Sequence, residues 1–260
     1  MSPKGNLVTC ITIAIVVVAM SANIGANPLD FIDGAPNLMI IAKEMTNIDP
    51  KLLDTAFWAM LETLQMAFVG TIAGVVMGLP LSLLSSRNIS SRWVYIPIRS
   101  LLAAIRTFPS ILWAILFVIV VGTGTFAGVL AITLYTIGFV TKLQYETIES
   151  IDADPMEAVS SIGVSKWQLV RYVVIPESAT HILGHALYMF DYNVRQTSIL
   201  GLVGAGGIGF YIITYIKYFD YGSAMIFMAV VLVTVLSIDW ISVRVRDAYV
   251  VKPQKGTSAK

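Results

Sequence analysis

The chain has 260 residues, of which 57% are hydrophobic and 13% charged, and its mean hydropathy is +0.78. So apolar a composition excludes an ordinary soluble domain and predicts an all-α integral membrane protein that crosses the bilayer several times. The formal net charge is only +1, and the single cysteine, Cys10, excludes an internal disulfide and any metal cluster built on cysteines.

The first predicted span covers Leu7 to Ile24, an apolar run without a charged residue. A cleaved signal peptide is the alternative, because Lys4 precedes the run and small residues follow it. The run is long for a cleaved segment, which favours a retained helix. A polar stretch of mixed charge follows the span, up to residue 54. Within it, Pro36 to Thr46 is expected to lie as a helix at the membrane surface. We interpret residues 1–54 as an accessory span and an extracytoplasmic segment.

Thr55 to Leu84 is the second predicted span, and Pro80 is expected to kink or end it. It carries three glycines at intervals of four residues, Gly70, Gly74 and Gly78. Such a stripe of small side chains lets another helix approach closely. The following loop, residues 85–99, has three arginines and no acidic residue. The excess of positive charge places this loop in the cytoplasm.

Four further spans bring the expected number to about six. They are predicted at Leu101–Val121, Phe126–Val140, Ser178–Leu202 and Ser223–Ile241. With six spans every basic loop falls on the cytoplasmic side, so both termini are expected there. The transmembrane domain then covers residues 55–248, and residues 249–260 form a basic cytoplasmic tail.

Charged side chains inside the predicted spans need a reason, because each costs about 3 kcal/mol at the bilayer centre on insertion scales. Asp191 and Arg195 are four residues apart in the fifth span and can pair on one helix face. Counting from Ser178 places Arg195 about 25 Å along the helix, toward the outer mouth. A structural ion pair and a positive lining for a passing anion are both open. Arg106, at the inner end of the third span, could also attract an anion, although snorkelling to lipid phosphates is favoured.

Two further patterns in the sequence match functional motifs but lack the context that those motifs require. Residues 204–209 satisfy the dinucleotide-binding pattern G-x-G-x-x-G, but they follow a span and not a strand. Their glycines are expected to allow close backbone packing or to line a passage; they are Gly204, Gly206, Gly207 and Gly209. His181 and His185 are spaced like metal ligands, but no further ligand completes a site, so no metal is expected. No P-loop motif occurs, so ATP hydrolysis and a resident cofactor are not expected of this chain.

A polar segment between the fourth and fifth spans predicts two short helices joined at a glycine corner. Asp154 is the expected N-cap of the first helix, with Glu157 placed to close a capping box. Gly163 suits the left-handed residue that ends a helix. Ser165 and Gln168 predict a second capping box at the start of the next helix.

This segment, Asp154 to Pro176, resembles the cytoplasmic EAA loop of ABC-importer permeases. The likeness rests on Glu157-Ala158-Val159, on Gly163 six residues after the glutamate, and on an apolar run ending at Pro176, which is expected to stop or redirect the helix. Val159 departs from the alanine that is usual in the family. There the loop docks on a separate ATPase subunit, which implies a coupling role for Glu157, Ala158, Gly163, Val164, Ser165 and Pro176.

A second resemblance narrows the family. Residues 188–195, with their Asn-Val-Arg ending, and the glycine-rich residues 200–210 look like the fifth-span signature of phosphonate-transport permeases. Residues 62–64 and 106–109 also resemble family positions, and the likeness covers about residues 55–248. Phosphite and hypophosphite importers share much of the pattern. Methionine-type permeases share the glycine segment and the EAA loop but lack the Asn-Val-Arg run.

The resemblance implies a type I ABC-importer permease in a bacterial inner membrane, with phosphonates or related phosphorus oxyanions as substrate. It implies a second copy of the chain to complete the pathway, two ATPase subunits that hold ATP and Mg, and an extracytoplasmic binding protein. Its implied pathway residues are Tyr188, Asp191, Tyr192, Asn193, Arg195 and Arg106. No nucleic-acid partner is expected.

Three alternatives stay open. A methionine-type or other small-solute ABC permease would share the coupling segment. An ATP-independent secondary transporter would be expected to show inverted repeats, and none is visible in the sequence. An intramembrane enzyme would need a metal set or a nucleophile with its base, and two histidines and one cysteine are too few.

Overall fold

The computed structural model describes residues 3–25 and 28–249, and all the regular elements within these ranges are helical. Contacts divide the chain into two compact units, residues 1–47 and residues from 48 onward. The first unit contains α1 (Pro3–Asn23) and α2 (Pro28–Glu44). The surface helix predicted from Pro36 begins earlier, because Pro36 is accommodated inside α2.

The second unit is built around α3 (Leu52–Ser85) and α6 (Thr125–Glu149), which pack along the glycine stripe of α3. A methyl group at Gly70 would lie 2.6 Å from Ile132 Cγ2, and one at Gly74 would lie 2.5 Å from Thr136 Cβ. Carbon atoms normally meet at about 3.5–4 Å, so only glycine permits this approach of the two helices. The interface therefore depends on residues that have no side chain.

Proline breaks one predicted span, but other helices contain a proline without ending there. The third span, expected as one helix over Leu101–Val121, is two helices, α4 (Arg92–Thr107) and α5 (Ser110–Val121), bent by 89°. The break lies at Phe108, which is extended with ψ 130° because the ring of Pro109 disfavours a helical residue before it. By contrast α3 continues beyond Pro80 to Ser85, so the predicted end there is wrong.

The fifth span is also longer and less regular than predicted. A helix runs from α8 (Lys166–Leu169) through a π-helical turn (Val170–Val174) into α9 (Ile175–Leu200). Pro176 therefore does not stop the helix; it is the second residue of α9, which directly follows the π-helical turn. A 3-10 turn follows at Gly201–Val203, and the chain then bends by 46° into a further helix, α10 (Ile208–Lys217).

Residues of α3, α9 and α10 share one apolar core with α11 (Tyr221–Tyr249). Phe227 of α11 is fully buried, and the ring of Tyr211 from α10 stacks on it at 5.2 Å. Ile208 and Val194 pack in the same cluster. α10 and α11 are thereby fixed to α3 and α9.

By length and composition, three helices of the described chain can cross a membrane unbroken, namely α3, α6 and α11. Counting each bent pair as one span gives up to five. The apolar part of α1, Leu7–Asn23, is a shorter helix than these. The expectation of six regular spans is therefore replaced by three regular ones and two bent ones, with a shorter apolar helix before them.

Candidate functional site

α9 presents an exposed stripe along one face, formed by Tyr188, Arg195 and Ile199. Their exposed fractions lie between 45% and 48% in the single chain. These residues are spaced by seven and four positions, which is the spacing of one helix face. An exposed arginine on a membrane-spanning helix is the unusual member of this stripe.

The depth of Arg195 follows from its neighbour Asn193. The Asn193 amide donates hydrogen bonds of 2.8 Å to the hydroxyls of Thr71 in α3 and Thr136 in α6. Thr136 lies near the middle of α6. Arg195 is two residues further along α9, so it lies near the middle of the helix bundle. This position is deeper than the outer mouth that counting residues predicted.

Asp191 and Arg195 form the predicted ion pair, with Arg195 Nη2 bonded to Asp191 Oδ2. The two partners are unequal, because the aspartate side chain is 9% exposed and the arginine side chain 47%. The second carboxylate oxygen of Asp191, Oδ1, is buried and has no partner among the described residues. The ion pair thus fixes the Arg195 side chain along α9 while its guanidinium stays accessible.

Asn193, on the far side of α9, and Tyr192, beside the exposed stripe, pack the helix against α3 and α6, although the Oδ1 atom of Asn193 is buried without a partner among the described residues. Asn193 is fully buried, and the hydroxyl of Tyr192 lies 2.8 Å from that of Tyr135 in α6, with the two rings stacked. The structure thus brings Asp191 and Arg195 together, while Asn193 and Tyr192 join α9 to α3 and α6. Thr71, Thr136 and Tyr135 were not singled out by the sequence, because isolated hydroxyl side chains in apolar runs carry no recognisable pattern.

The glycine-rich turn after α9 is held against the first half of α3. Thr63 accepts the backbone N–H of Ile208 at 2.8 Å, and a side chain at Gly207 would collide with the same hydroxyl. The N–H of Gly124, in the turn before α6, donates to the carbonyl of Gly204 at 2.9 Å. Gly204, Gly206 and Gly207 have φ between 71° and 85°, a backbone conformation that L side chains rarely adopt. This turn therefore needs glycine both for its shape and for its close packing.

Arg106 lies away from this site, on the side of α4 that faces α6. A methyl group at Gly138 would come within 3.0 Å of Arg106 Cγ, so the arginine stem passes directly over the α6 backbone. Its side chain lines a separate cavity together with Lys142.

The segment predicted to lie in the cytoplasm, and named the cytoplasmic segment for that prediction, begins with α7 (Ala153–Ser160), turns at Gly163, and continues through α8 and the π-helical turn to Pro176. The N-cap of α7 is Asp152 and not Asp154, because Asp152 keeps an extended ψ of 145°, and no side-chain cap forms. The capping box predicted for Asp154 and Glu157 is therefore wrong. The second box is confirmed, since Ser165 and Gln168 bond reciprocally. Gly163 has φ +76° at the corner, as predicted.

The same segment exposes large apolar side chains. Ile162, Trp167 and Tyr172 are 76%, 66% and 67% exposed, and neither α7 nor α8 has a buried residue. Among the coupling residues expected from the sequence, Val164 is half-buried. The others are exposed, namely Glu157, Ala158, Gly163, Ser165 and Pro176. A partner could therefore reach most of this surface.

A cluster of polar contacts around the end of α6 connects this segment to α4 and to the turn that follows α3. Glu149 pairs with Arg99 of α4 and accepts the backbone N–H of Arg87 at 2.6 Å. The Arg99 guanidinium also lies 4.0 Å from the ring centroid of Tyr145. Lys166 of α8 donates to the carbonyl of Ile89 at 3.1 Å. The sequence did not predict this cluster, because its members come from three distant positions in the chain.

Comparisons with known proteins agree with this architecture. The family described as binding-protein-dependent transport system inner membrane component matches residues 70–249. HtxC of Stutzerimonas stutzeri, named for a phosphite transport system, is 36% identical over 214 residues, which are 82% of this chain and 76% of that protein. PhnE2 of Escherichia coli, named for a cryptic phosphonate transport system, is 33% identical over 46% of this chain and 99% of that protein.

Among solved structures, the MetNI methionine ABC transporter in inward-facing conformations superposes with a TM-score of 0.70. The match covers 79% of this chain and all of that chain, at 22% sequence identity. At that identity the likeness shows a common fold, that of an ABC importer permease.

Proposed function

Because this chain belongs to the family of binding-protein-dependent transport system inner membrane components, we propose that it forms the membrane pathway of an ATP-driven importer for phosphonates or related phosphorus oxyanions. The chain is a multi-pass inner-membrane permease subunit of an ABC importer. Relatives named for phosphite and phosphonate transport support the substrate class. The observation that carries the proposal is the accessible guanidinium of Arg195 near the middle of the helix bundle.

The exposed stripe of α9 supports a homodimeric pathway. An arginine in mid-span that faced lipid would be expensive, so it must face water or another protein surface. Arg195 is 47% exposed in the single chain, with its carboxylate partner on one side only. A second copy of the chain placed against this stripe would enclose a passage lined by Tyr188 and Arg195 from both copies. The positive charge there would favour an anionic substrate.

Within this proposal, Asn193, Asp191 and Tyr192 act through Arg195 and α9. Asp191 orients the guanidinium, and Asn193 and Tyr192 hold α9 against the other helices. Arg195 and Tyr188 are the members that a passing anion would meet. The residues that a passing anion would meet are thus fewer than the six pathway residues predicted from the sequence.

The cytoplasmic segment is proposed to dock on a separate ATPase subunit and to transmit its motion. Exposed aromatic anchors are typical of binding hot spots, and Trp167 and Tyr172 are more than half exposed. The continuous helix from α8 through the π turn into α9 offers a mechanical connection from the docking surface to Arg195. ATP and Mg would be bound by that partner, and an extracytoplasmic binding protein would deliver the substrate.

Reconstitution tests the proposal directly. The chain is reconstituted in liposomes with its ATPase and binding protein, and uptake of phosphite, a small alkylphosphonate and methionine is measured with and without ATP. We expect ATP-dependent uptake of the phosphorus oxyanions and none of methionine. Methionine uptake would support the methionine-type alternative, and uptake that needs no ATP would support a secondary transporter.

Co-purification with the ATPase tests the coupling surface separately. We expect the ATPase to be recovered with the tagged chain and to be lost in the variant Trp167→Ala. Trp58→Ala serves as the matched control, because Trp58 is 60% exposed but lies near the start of α3, far in sequence from the segment. Equal recovery with both variants would contradict docking through this segment.

A further inference from the structure

Two cationic side chains share a cavity between α4 and α6 that the pathway described above does not use. The cavity has a volume of about 400 Å³ and opens to the surface. Arg106 and Thr107 contribute from α4, and Lys142 contributes from α6. Ala103, Phe139 and Leu143 form the rest of the lining, so the polar groups are set in an apolar wall.

Arg106 is held in place without being neutralised. Its stem passes over Gly138, where a methyl group would come within 3.0 Å of Cγ and 3.1 Å of Ile105 Cγ2. The carbonyl of the preceding residue, Ile105, accepts the indole N–H of Trp113 at 3.1 Å, which ties the end of α4 to α5. In the part of the chain that the structure describes, the Arg106 guanidinium makes no ion pair and no hydrogen bond. Five donors are thus available at one end of the cavity.

Lys142 provides the second charge, and in the described chain its ion-pair partner is Glu146. The separation between Nζ and the carboxylate is 3.5 Å, and both side chains are about half exposed. Such an exposed pair along one helix is weak because water screens it, so Glu146 is easily exchanged for another anion. The net charge of the cavity and its rim, with Arg106, Lys142 and Glu146, is positive.

The position of the cavity along α6 points to the inner edge of the bilayer. The apolar part of α6 ends at Val140, and all the charged residues of this helix follow it, at Lys142, Glu146 and Glu149. Lys142 lies seven residues before Glu149, which is about 10 Å along the helix axis. At this level a cationic cavity can meet the phosphate of an inner-leaflet lipid or a small anion in the cytoplasm.

We propose that Arg106 and Lys142 form a binding site for a phosphate-type group, a tetrahedral phosphorus oxyanion, at the inner edge of the membrane. The group is carried either by an anionic lipid or by free substrate reaching the cytoplasmic side, and only the second source rests on the proposed transport function. A bound anion would bridge α4 and α6 beside the 89° break between α4 and α5. Occupancy would therefore stabilise the bend of the third span.

Equilibrium binding without ATP tests this site independently of transport. The full chain, co-purified with its ATPase in detergent, is titrated with dioleoylphosphatidylglycerol, with dioleoylglycerol, which lacks the phosphate, and with sodium phosphite. Bound lipid is counted by native mass spectrometry, and phosphite binding is measured by calorimetry. The test variant is Arg106→Gln combined with Lys142→Gln. Arg92→Gln is the matched control, because Arg92 begins the same helix and does not line the cavity.

Loss of one charge-assisted contact weakens binding by about tenfold or more, so the double variant is expected to bind its anion at least tenfold more weakly than the control. A loss seen with phosphatidylglycerol, and no binding of dioleoylglycerol, identifies a lipid site. A loss seen with phosphite identifies a site for free oxyanion. If the double variant does not fold, Lys142→Gln alone, with its half-exposed side chain, is expected to show a weaker loss of the same kind. Binding of both anions that equals the control overturns the proposal.

Discussion

Gly74 and Gly163 show two unlike uses of glycine in this molecule. Gly74 lies inside the contact between α3 and α6, where a methyl group would meet Thr136 at 2.5 Å. Gly163 lies at the corner of the cytoplasmic segment with no atom within 4 Å of the position of a Cβ, and its φ is +76°. The first glycine is required by the residues of α6 that pack against it, and the second by its own backbone.

The surroundings of the two glycines also differ, because Gly74 lies in a packed interface and Gly163 in an exposed segment. The α3–α6 interface buries its small and polar residues, and it is complete within one chain. The cytoplasmic segment leaves Ile162, Trp167 and Tyr172 exposed, and a few hydrogen bonds hold it in place. Large apolar side chains left in water indicate a surface that is completed by a partner. We therefore expect damage at the first site to appear in stability, and damage at the second in function.

The largest expected effect is that of Gly163→Arg on ATP-dependent uptake. The free space at this corner means that the chain itself can hold the side chain, at a strain cost of about 1–2 kcal/mol for positive φ. An arginine projecting into the docking surface should lower uptake by about 100-fold, which corresponds to about 2.7 kcal/mol of docking free energy. Uptake in liposomes and the melting temperature of the purified chain are measured together.

Gly163→Asn is the control, because asparagine tolerates the left-handed conformation and is shorter. It should retain most of the uptake. A Gly163→Arg variant that transports normally, or one that melts much earlier than Gly163→Asn, would contradict the comparison drawn between the two glycines.

Arg195→Gln is expected to lower uptake by about 10- to 100-fold, the loss of one charged contact with an anion. It also leaves Asp191 as an uncompensated buried charge, so the melting temperature should fall. The double variant Asp191→Asn with Arg195→Gln removes both charges and should recover the stability but not the uptake. If the double variant recovers uptake as well, the pair is structural and the pathway does not need a positive charge.

Gly74→Ala should destabilise the chain by about 1–3 kcal/mol, as expected for overpacking in a closed interface. Thermal unfolding in detergent, followed by tryptophan fluorescence, measures the change. Gly34→Ala is the matched control, since Gly34 lies in a helix with no atom within 4 Å of its Cβ position and no positive φ. Equal melting temperatures for the two variants would mean that α3 and α6 are further apart than described here.

The smallest effect is expected from Ser165→Ala, which removes one half of the capping box of α8. An N-cap of this kind contributes about 1 kcal/mol to its helix. The loss should appear as faster hydrogen exchange in residues 165–169, with global melting unchanged. Exchange rates that match those of the unaltered chain would show that the docking segment does not depend on its cap.

Much of the architecture follows from local chemistry that the sequence displays. An apolar run of the right length must be helical in a bilayer, because its backbone groups have no other hydrogen-bond partners. The corner at Gly163 and the capping box at Ser165 depend only on near neighbours in the chain, and the interval of four residues between the glycines of α3 is visible in the sequence itself. For the same reason the i,i+4 spacing of Asp191 and Arg195 was enough to predict their ion pair.

Other features depend on contacts between residues far apart in the sequence, and only the tertiary structure could decide them. The depth of Arg195 is set by bonds from Asn193 to Thr71 and Thr136. The cavity of Arg106 and Lys142 exists because Gly138 lets α4 cross closely over α6. Similarly, Pro109 separates two helices whereas Pro80 lies within a continuous one. A proline restricts its own backbone in the same way everywhere, but whether a helix bends there depends on the packing available to both sides.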